Sequence, residues 1–200
     1  MGLWHTGRPG RVVAGSTALA RLGEPLGMES GKISDAQISV SSTWDSQDWR
    51  ALDMGGNFAR LNRKQGLAGC WVAATASPHQ WLQVDLGEVC LVSGVATQGR
   101  ALDVNGWFDQ FVTAYQVETR KTEQENWRRQ GTLLGGNTDL QTPMGQVLEA
   151  TECRFVRIYP VAWHKHISLR CEFYGRRLAS PHRLAISGIA PSLLTETLEG

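Results

Sequence analysis

Few residues in this chain stand at spacings that could do covalent or metal chemistry. His164 and His166 form a His-x-His pair. On one strand face such a pair could give two ligands to a zinc ion, but a further ligand would be required. The four cysteines, Cys70, Cys90, Cys153 and Cys171, form no CxxC pair and no zinc spacing. Cys90 and Cys171 fall where alternation predicts inward-facing side chains, so buried free thiols are the simplest reading. A cross-strand Cys153–Cys171 disulfide is compatible with the sequence, which does not decide it. Nucleophile elbow, phosphate loop and paired carboxylates in a glycine context are all missing. No catalytic set and no metal site is therefore assigned, and the chain is not expected to be an enzyme.

Binding is better served. Eight tryptophans are many for 200 residues, and Trp is costly to leave in water without a purpose. Trp44 and Trp49 lie in a polar stretch, residues 43–56, outside any strand pattern. Trp107 and Phe108 end a second loop, residues 101–108. These four are candidates to insert into a bilayer or to pack on a ligand. Arg50, Arg63, Lys64 and Arg100 are basic neighbours that would favour an anionic surface. Arg60 sits within a strand-like motif and is expected in an internal ion pair. His164 and His166, with Lys165, are expected to line the rim of the ligand end rather than to hold a metal.

These loops need a scaffold. Residues 81–100, WLQVDLGEVCLVSGVATQGR, alternate apolar and polar, break at Gly87 and resume, which predicts two strands joined by a tight turn. Asp85 is a carboxylate inside this apolar pattern and needs a partner, because a lone buried charge is costly; Arg157 is the expected one. Further strands are expected over 33–42, 57–62, 111–120, 146–148, 154–159 and 167–174. No helical period of ten or more residues appears before the C-terminal tail. About eight short strands separated by turn signals predict an all-β sandwich or jelly roll. Residues 1–21 are expected to be a flexible arm, residues 22–176 one domain, and residues 177–200 an irregular tail. The hydrophobic content of 42% suffices for one core.

Charge is balanced, with 20 basic and 19 acidic residues. A general nucleic-acid binder would need a basic excess. No apolar run approaches the roughly 20 residues of a membrane span. Arg8, Arg11 and Arg21 interrupt the N-terminal segment, so no signal peptide is recognised in it.

Six separated stretches, in order, carry a resemblance: PLGMESGKISDAQIS, FARLNRKQGLAGCW, WLQVDLG, GVATQGR, GNTD and RFVRIYPVAWHKHISLRCEFYG. Together they resemble the discoidin domain, also called the coagulation factor V/VIII C-type domain, over roughly residues 22–176. The resemblance implies an eight-stranded galactose-binding-like jelly roll, all-β, with a five-stranded sheet against a three-stranded one. It implies an extracellular, non-catalytic adhesion module whose loops at one end grip a cell-surface ligand. No cofactor is implied, and a structural calcium ion is compatible with the pattern. An anionic phospholipid membrane containing phosphatidylserine is the expected partner, with a cell-surface protein or glycan as the alternative. Nothing sets the oligomeric state. Trp44 and Arg100 match positions used by collagen-binding members. The acidic residue those members carry before a G-A-W motif is absent from residues 65–69, which weakens a collagen ligand. Phe111 matches a structural aromatic in the stretch 109–115. The family's terminal disulfide would fall near position 22 and at position 176, where this chain has Leu22 and Arg176. A stabilisation of about 2–4 kcal/mol is therefore missing.

Overall fold

Alternation is what builds the longest strands. Leu82, Val84 and Leu86 are buried while Gln83 and Asp85 between them are not, the period-2 pattern of a strand with one face on a core. The computed structural model describes residues 12–14, 19–45, 54–64, 68–101 and 107–178. Its strands are β1 (Val12–Ala14), β2 (Glu24–Pro25), β3 (Ile38–Val40), β4 (Trp71–Val72), β5 (Leu82–Gln98), β6 (Phe111–Arg120), β7 (Arg128–Gly135), β8 (Met144–His164) and β9 (Ser168–Arg177). All pairings between these strands are antiparallel. The fold is an all-β jelly-roll sandwich of the galactose-binding-like type, as expected.

The two long strands serve both layers. The first residues of β5 run between β3 and the 155–158 stretch of β8; its later residues run between β9 and the 144–153 stretch. Strands β6 and β7 extend the first layer beyond β8, and β2 and β4 add to β9 in the second. One core fills the space between, with Val84, Val117 and Ile158 from one layer and Val92, Val95 and Phe173 from the other. Trp71 is fully buried there, and its indole N–H donates to the Ser42 carbonyl at 2.8 Å. Close packing also dictates Gly175, where a Cβ would collide with the Leu91 carbonyl oxygen.

Several expectations need correction. Residues 81–100 are not a hairpin. They form one strand with a bulge, marked by a register shift between Asp85 and Cys90. Gly87 sits in the bulge at φ 81°, a conformation glycine adopts without strain. The separate strands expected over 146–148 and 154–159 are parts of β8. The 57–62 stretch is a 3-10 turn, Gly56–Phe58, followed by an isolated bridge from Arg60 to Cys171. The segment expected as a flexible arm contains β1, which pairs with residues 144–146 of β8, and Leu19 on the way to β2 is buried. Residues beyond 178 of the expected tail lie outside the described residues. The Cys153–Cys171 disulfide is excluded by register: Cys153 faces Cys90, whereas Cys171 faces Thr97.

Asp85 pairs with Arg154, not Arg157. Arg154 stands opposite the bulge, between Cys153 and Phe155, which pair with Cys90 and Asp85. Its Nε and Nη2 donate to Oδ1 and Oδ2 of Asp85 at 2.7 and 2.8 Å. The Gly87 N–H donates to the same carboxylate at 2.8 Å, so Asp85 holds the bulge closed from within β5. Arg157 lies opposite Gln83 and is held between the Trp81 and Trp127 rings, 4.3 and 4.2 Å from their centroids.

The hydrogen bond from Arg154 holds the Asp85 carboxyl below its ordinary value. A lowered carboxylate contributes stability that is complete above the unfolded value and is lost as pH falls through the folded one. Acid titration of stability should therefore show a loss beginning near pH 4 in the native chain. Arg154→Gln should remove up to about 1 kcal/mol at pH 7, because the pair is partly exposed, and should flatten that acid limb. Equilibrium urea unfolding at pH 7 and pH 3.5 measures both.

Candidate functional site

A cleft of about 160 Å³ opens at one end of the sandwich, lined by Trp44, Met54, Val72, Arg100, Phe108, Gln110 and His166. Its walls come from separate parts of the chain. Trp44 follows β3 and is tied to β4 by its backbone N–H, which donates to the Val72 carbonyl at 2.9 Å. Arg100 leaves β5, Phe108 and Gln110 lead into β6, and His166 lies in the turn between β8 and β9.

The lining groups hold one another. Arg100 is buried; its Nη1 donates to Gln110 Oε1 at 3.1 Å, and its guanidinium lies 4.3 Å from the Phe108 ring centroid. Gln110 Oε1 also accepts from the Ser168 hydroxyl at 3.0 Å, which fixes the amide with its oxygen toward the arginine. The backbones of Arg100 and Gln110 are joined by an N–H to carbonyl bond of 3.0 Å. His166 Nε2 lies 2.8 Å from the Ala73 carbonyl, so it carries the proton and donates. The His166 ring meets Trp44 edge-on, with centroids 5.3 Å apart. The result is a small recess in which Trp44 lies against His166 and Phe108 against Arg100, with the Gln110 amide bonded to the arginine. Such a mixture can cover apolar surface and fix the orientation of a few polar ligand groups.

The expected site residues separate into four groups. Trp44, Arg100, Phe108 and His166 come together in the cleft. Trp107, Lys64 and Lys165 are exposed but do not line it; Trp107 keeps 76% of its surface in water, against 43% for Trp44 and 47% for Phe108. Lys165 has φ 57°, at the tip of the turn beside His166. Arg63 stacks over the Phe58 ring at 4.6 Å, away from the cleft lining. Trp49 and Arg50 lie outside the described residues. Arg60 is internal, as expected: it pairs with Asp35 and donates to the Met28 carbonyl. The His-x-His pair is split. His164 stacks on Phe111 and faces Asp109 at 3.3 Å, whereas His166 faces the cleft. Among the described residues no cluster of three or more His, Cys, Asp or Glu could hold a metal.

Sequence reasoning missed Met54, Val72 and Gln110 in the lining, and it missed Arg170. Arg170 is fully buried in β9. It donates to the carbonyls of Gly99 at 2.7 Å, Arg63 at 2.7 Å and Leu140 at 2.9 Å, with longer contacts to Arg100 O and Gln141 Oε1. Burial pulls its guanidinium down to about 10, still cationic at neutral pH. One side chain thus pins the roots of three loops at the cleft end. The available signal was a charge inside the apolar run 167–174, which must find partners wherever it is buried.

A family model described as the F5/8 type C domain matches residues 34–173. Retinoschisin of Mus musculus is 35% identical over 171 residues, covering 80% of this chain and 73% of its own length. Lactadherin of Bos taurus is 36% identical over 159 residues, covering 76% of this chain but only 36% of that protein. Among solved structures, recombinant discoidin II of Dictyostelium discoideum superposes with a TM-score of 0.61 at 22% identity, over 72% of this chain and 56% of that one. That likeness concerns the fold.

Replacing Arg170 by Leu would strand several buried carbonyls. Stability should fall by roughly 3–5 kcal/mol, and limited proteolysis should begin near residues 63, 100 and 140. Arg170→Lys should recover only part of this, since an ammonium cannot span all the acceptors.

Proposed function

The chain belongs to the F5/8 type C (discoidin) domain family, a family of non-catalytic binding modules, and from that membership we propose that it is an extracellular adhesion module that docks on anionic phospholipid. The observation that carries this reading is Trp107, 76% exposed beside Phe108 and the Trp44-flanked cleft. A large indole left in water at the loop end is suited to the membrane interface, where its ring is apolar and its N–H can stay wet. Each aromatic side chain moved from water into the acyl boundary contributes about 1.5–3 kcal/mol before ordering costs. Lys64, Lys165 and Arg63 would add up to about 1 kcal/mol each near a phosphatidylserine surface. Arg100 supplies a positive charge in the cleft wall for the headgroup. The combination gives affinities near the micromolar range, weakened by salt.

A second reading has its own observation. The cleft's polar groups, Arg100, Gln110 and His166, line the same recess as two aromatic rings, Trp44 and Phe108. That arrangement also suits a glycan, with hydroxyls on the polar groups and ring C–H faces on the aromatics. A cell-surface protein presenting a similar group would use the same recess.

Vesicle co-sedimentation separates the readings. Vesicles containing phosphatidylserine should bind the chain, and pure phosphatidylcholine vesicles should not. Trp44→Ala/Trp107→Ala should weaken binding at least tenfold, with loss of the blue shift in tryptophan emission. Equal binding to both vesicles, or undiminished binding by the double variant, would sink the lipid reading. For a glycan ligand the pattern reverses on a glycan array: Gln110→Ala loses the signal and Trp107→Ala keeps it.

A further inference from the structure

Cys90 and Cys153 are direct register partners in the ladder between β5 and β8. Opposed residues of an antiparallel pair have Cα atoms about 4.5–5.5 Å apart and side chains on the same face. A disulfide needs Cα atoms about 4.4–6.8 Å apart. Both side chains are fully buried in the same core cluster. In the structure both are thiols, and Cys90 Sγ donates weakly to the Glu88 carbonyl at 3.6 Å. Burial pushes Cys153 up to about 12, with Cys90 close enough to add to the shift.

No other pairing among the four cysteines has this placement. Cys171 is opposed to Thr97, seven residues along β5 from Cys90, roughly 23 Å at strand spacing. Cys70 packs in a different cluster, with Met54, Ala68 and Val72. The Cys90–Cys153 pair also has a distinctive position. It is the first paired position after the bulge, where the ladder between β5 and β8 is interrupted. A one-residue slip there would send every following side chain of β5 to the wrong face.

We propose that Cys90 and Cys153 close a cross-strand disulfide that pins the register of the two long strands at the bulge when the chain folds in an oxidising compartment. The oxidant is a small disulfide such as oxidised glutathione. One cysteine thiolate attacks it, releasing one reduced glutathione and leaving a mixed disulfide. The second cysteine thiolate displaces the other glutathione. The two protein thiols lose two protons and two electrons, and one oxidised glutathione becomes two reduced ones. The exchange takes place before the core closes, because the folded chain hides both thiols and disfavours their thiolates.

The full 200-residue chain is folded in oxidised glutathione, then unfolded in denaturant containing iodoacetamide, digested and mapped by mass spectrometry. The peptides bearing Cys90 and Cys153 should be linked and lighter by two hydrogens, while Cys70 and Cys171 carry the alkyl group. The thermal midpoint should fall by roughly 5–10 °C when reductant is added, and Cys90→Ala/Cys153→Ala should abolish that sensitivity. Alkylation of all four cysteines after oxidative folding, or linkage of Cys153 to any cysteine other than Cys90, overturns the proposal. The mapping needs no variant, so it stands even if the double substitution folds poorly.

Discussion

A guanidinium shut away from water must find acceptors for its N–H groups, and Arg170 finds them in the main chain. Its bonds to Arg63, Gly99 and Leu140 tie three loop roots to strand β9. The cleft depends on this arrangement. Arg100 follows Gly99 directly, so the backbone that Arg170 grips also sets where the Arg100 side chain begins. From there the order runs outward: Arg100 to Gln110, Gln110 to Ser168, and Arg100 against Phe108. A cleft end built of loops is given a fixed shape by a charge that does not line the cleft.

Several other arginines of the scaffold are held by partners of their own. Arg60 is spent on Asp35 and a carbonyl, and Arg154 on Asp85. Arg157 and Arg120 alternate with Trp81, Trp127 and Phe155 in a ladder of cation–π contacts along one sheet face. Such contacts are worth about 0.5–1 kcal/mol each where partly exposed. They fasten the turn carrying Trp127 to the sheet.

The fold was legible because burial on one face of a strand writes itself as alternation, and residues 81–86 and 111–120 show it plainly. Gly87 was misread for a physical reason. A hairpin turn and a β-bulge both use a glycine at positive φ, and only the pairing partner distinguishes them. The Asp85 partner was misassigned because the bulge shifts the register and brings Arg154, not Arg157, to the carboxylate. At the cleft, Trp44, Arg100, Phe108 and His166 were recognisable as large or polar groups outside the strand pattern. Val72 and Met54 were not, because an apolar residue lining a recess has the same sequence signature as one lining the core. Gln110 was hidden in a stretch that matched a structural motif.

Strand β9 carries a second buried charge, and the two together bear on how freely the cleft residues can vary. Glu172 accepts from the backbone N–H groups of Gly27, Met28, Glu29 and Phe173. Burial raises this carboxyl, and the four N–H donors oppose the rise. Glu172 therefore fixes the 27–29 turn much as Arg170 fixes the cleft loops. In both cases nearly all the partners are main-chain groups, which every residue type except proline supplies in full. Side chains on these loops can then be exchanged without orphaning either buried charge. A scaffold anchored through backbone atoms separates the residues that hold the loops from those that line the cleft, so aromatic tips and a polar recess can be rebuilt on the same frame.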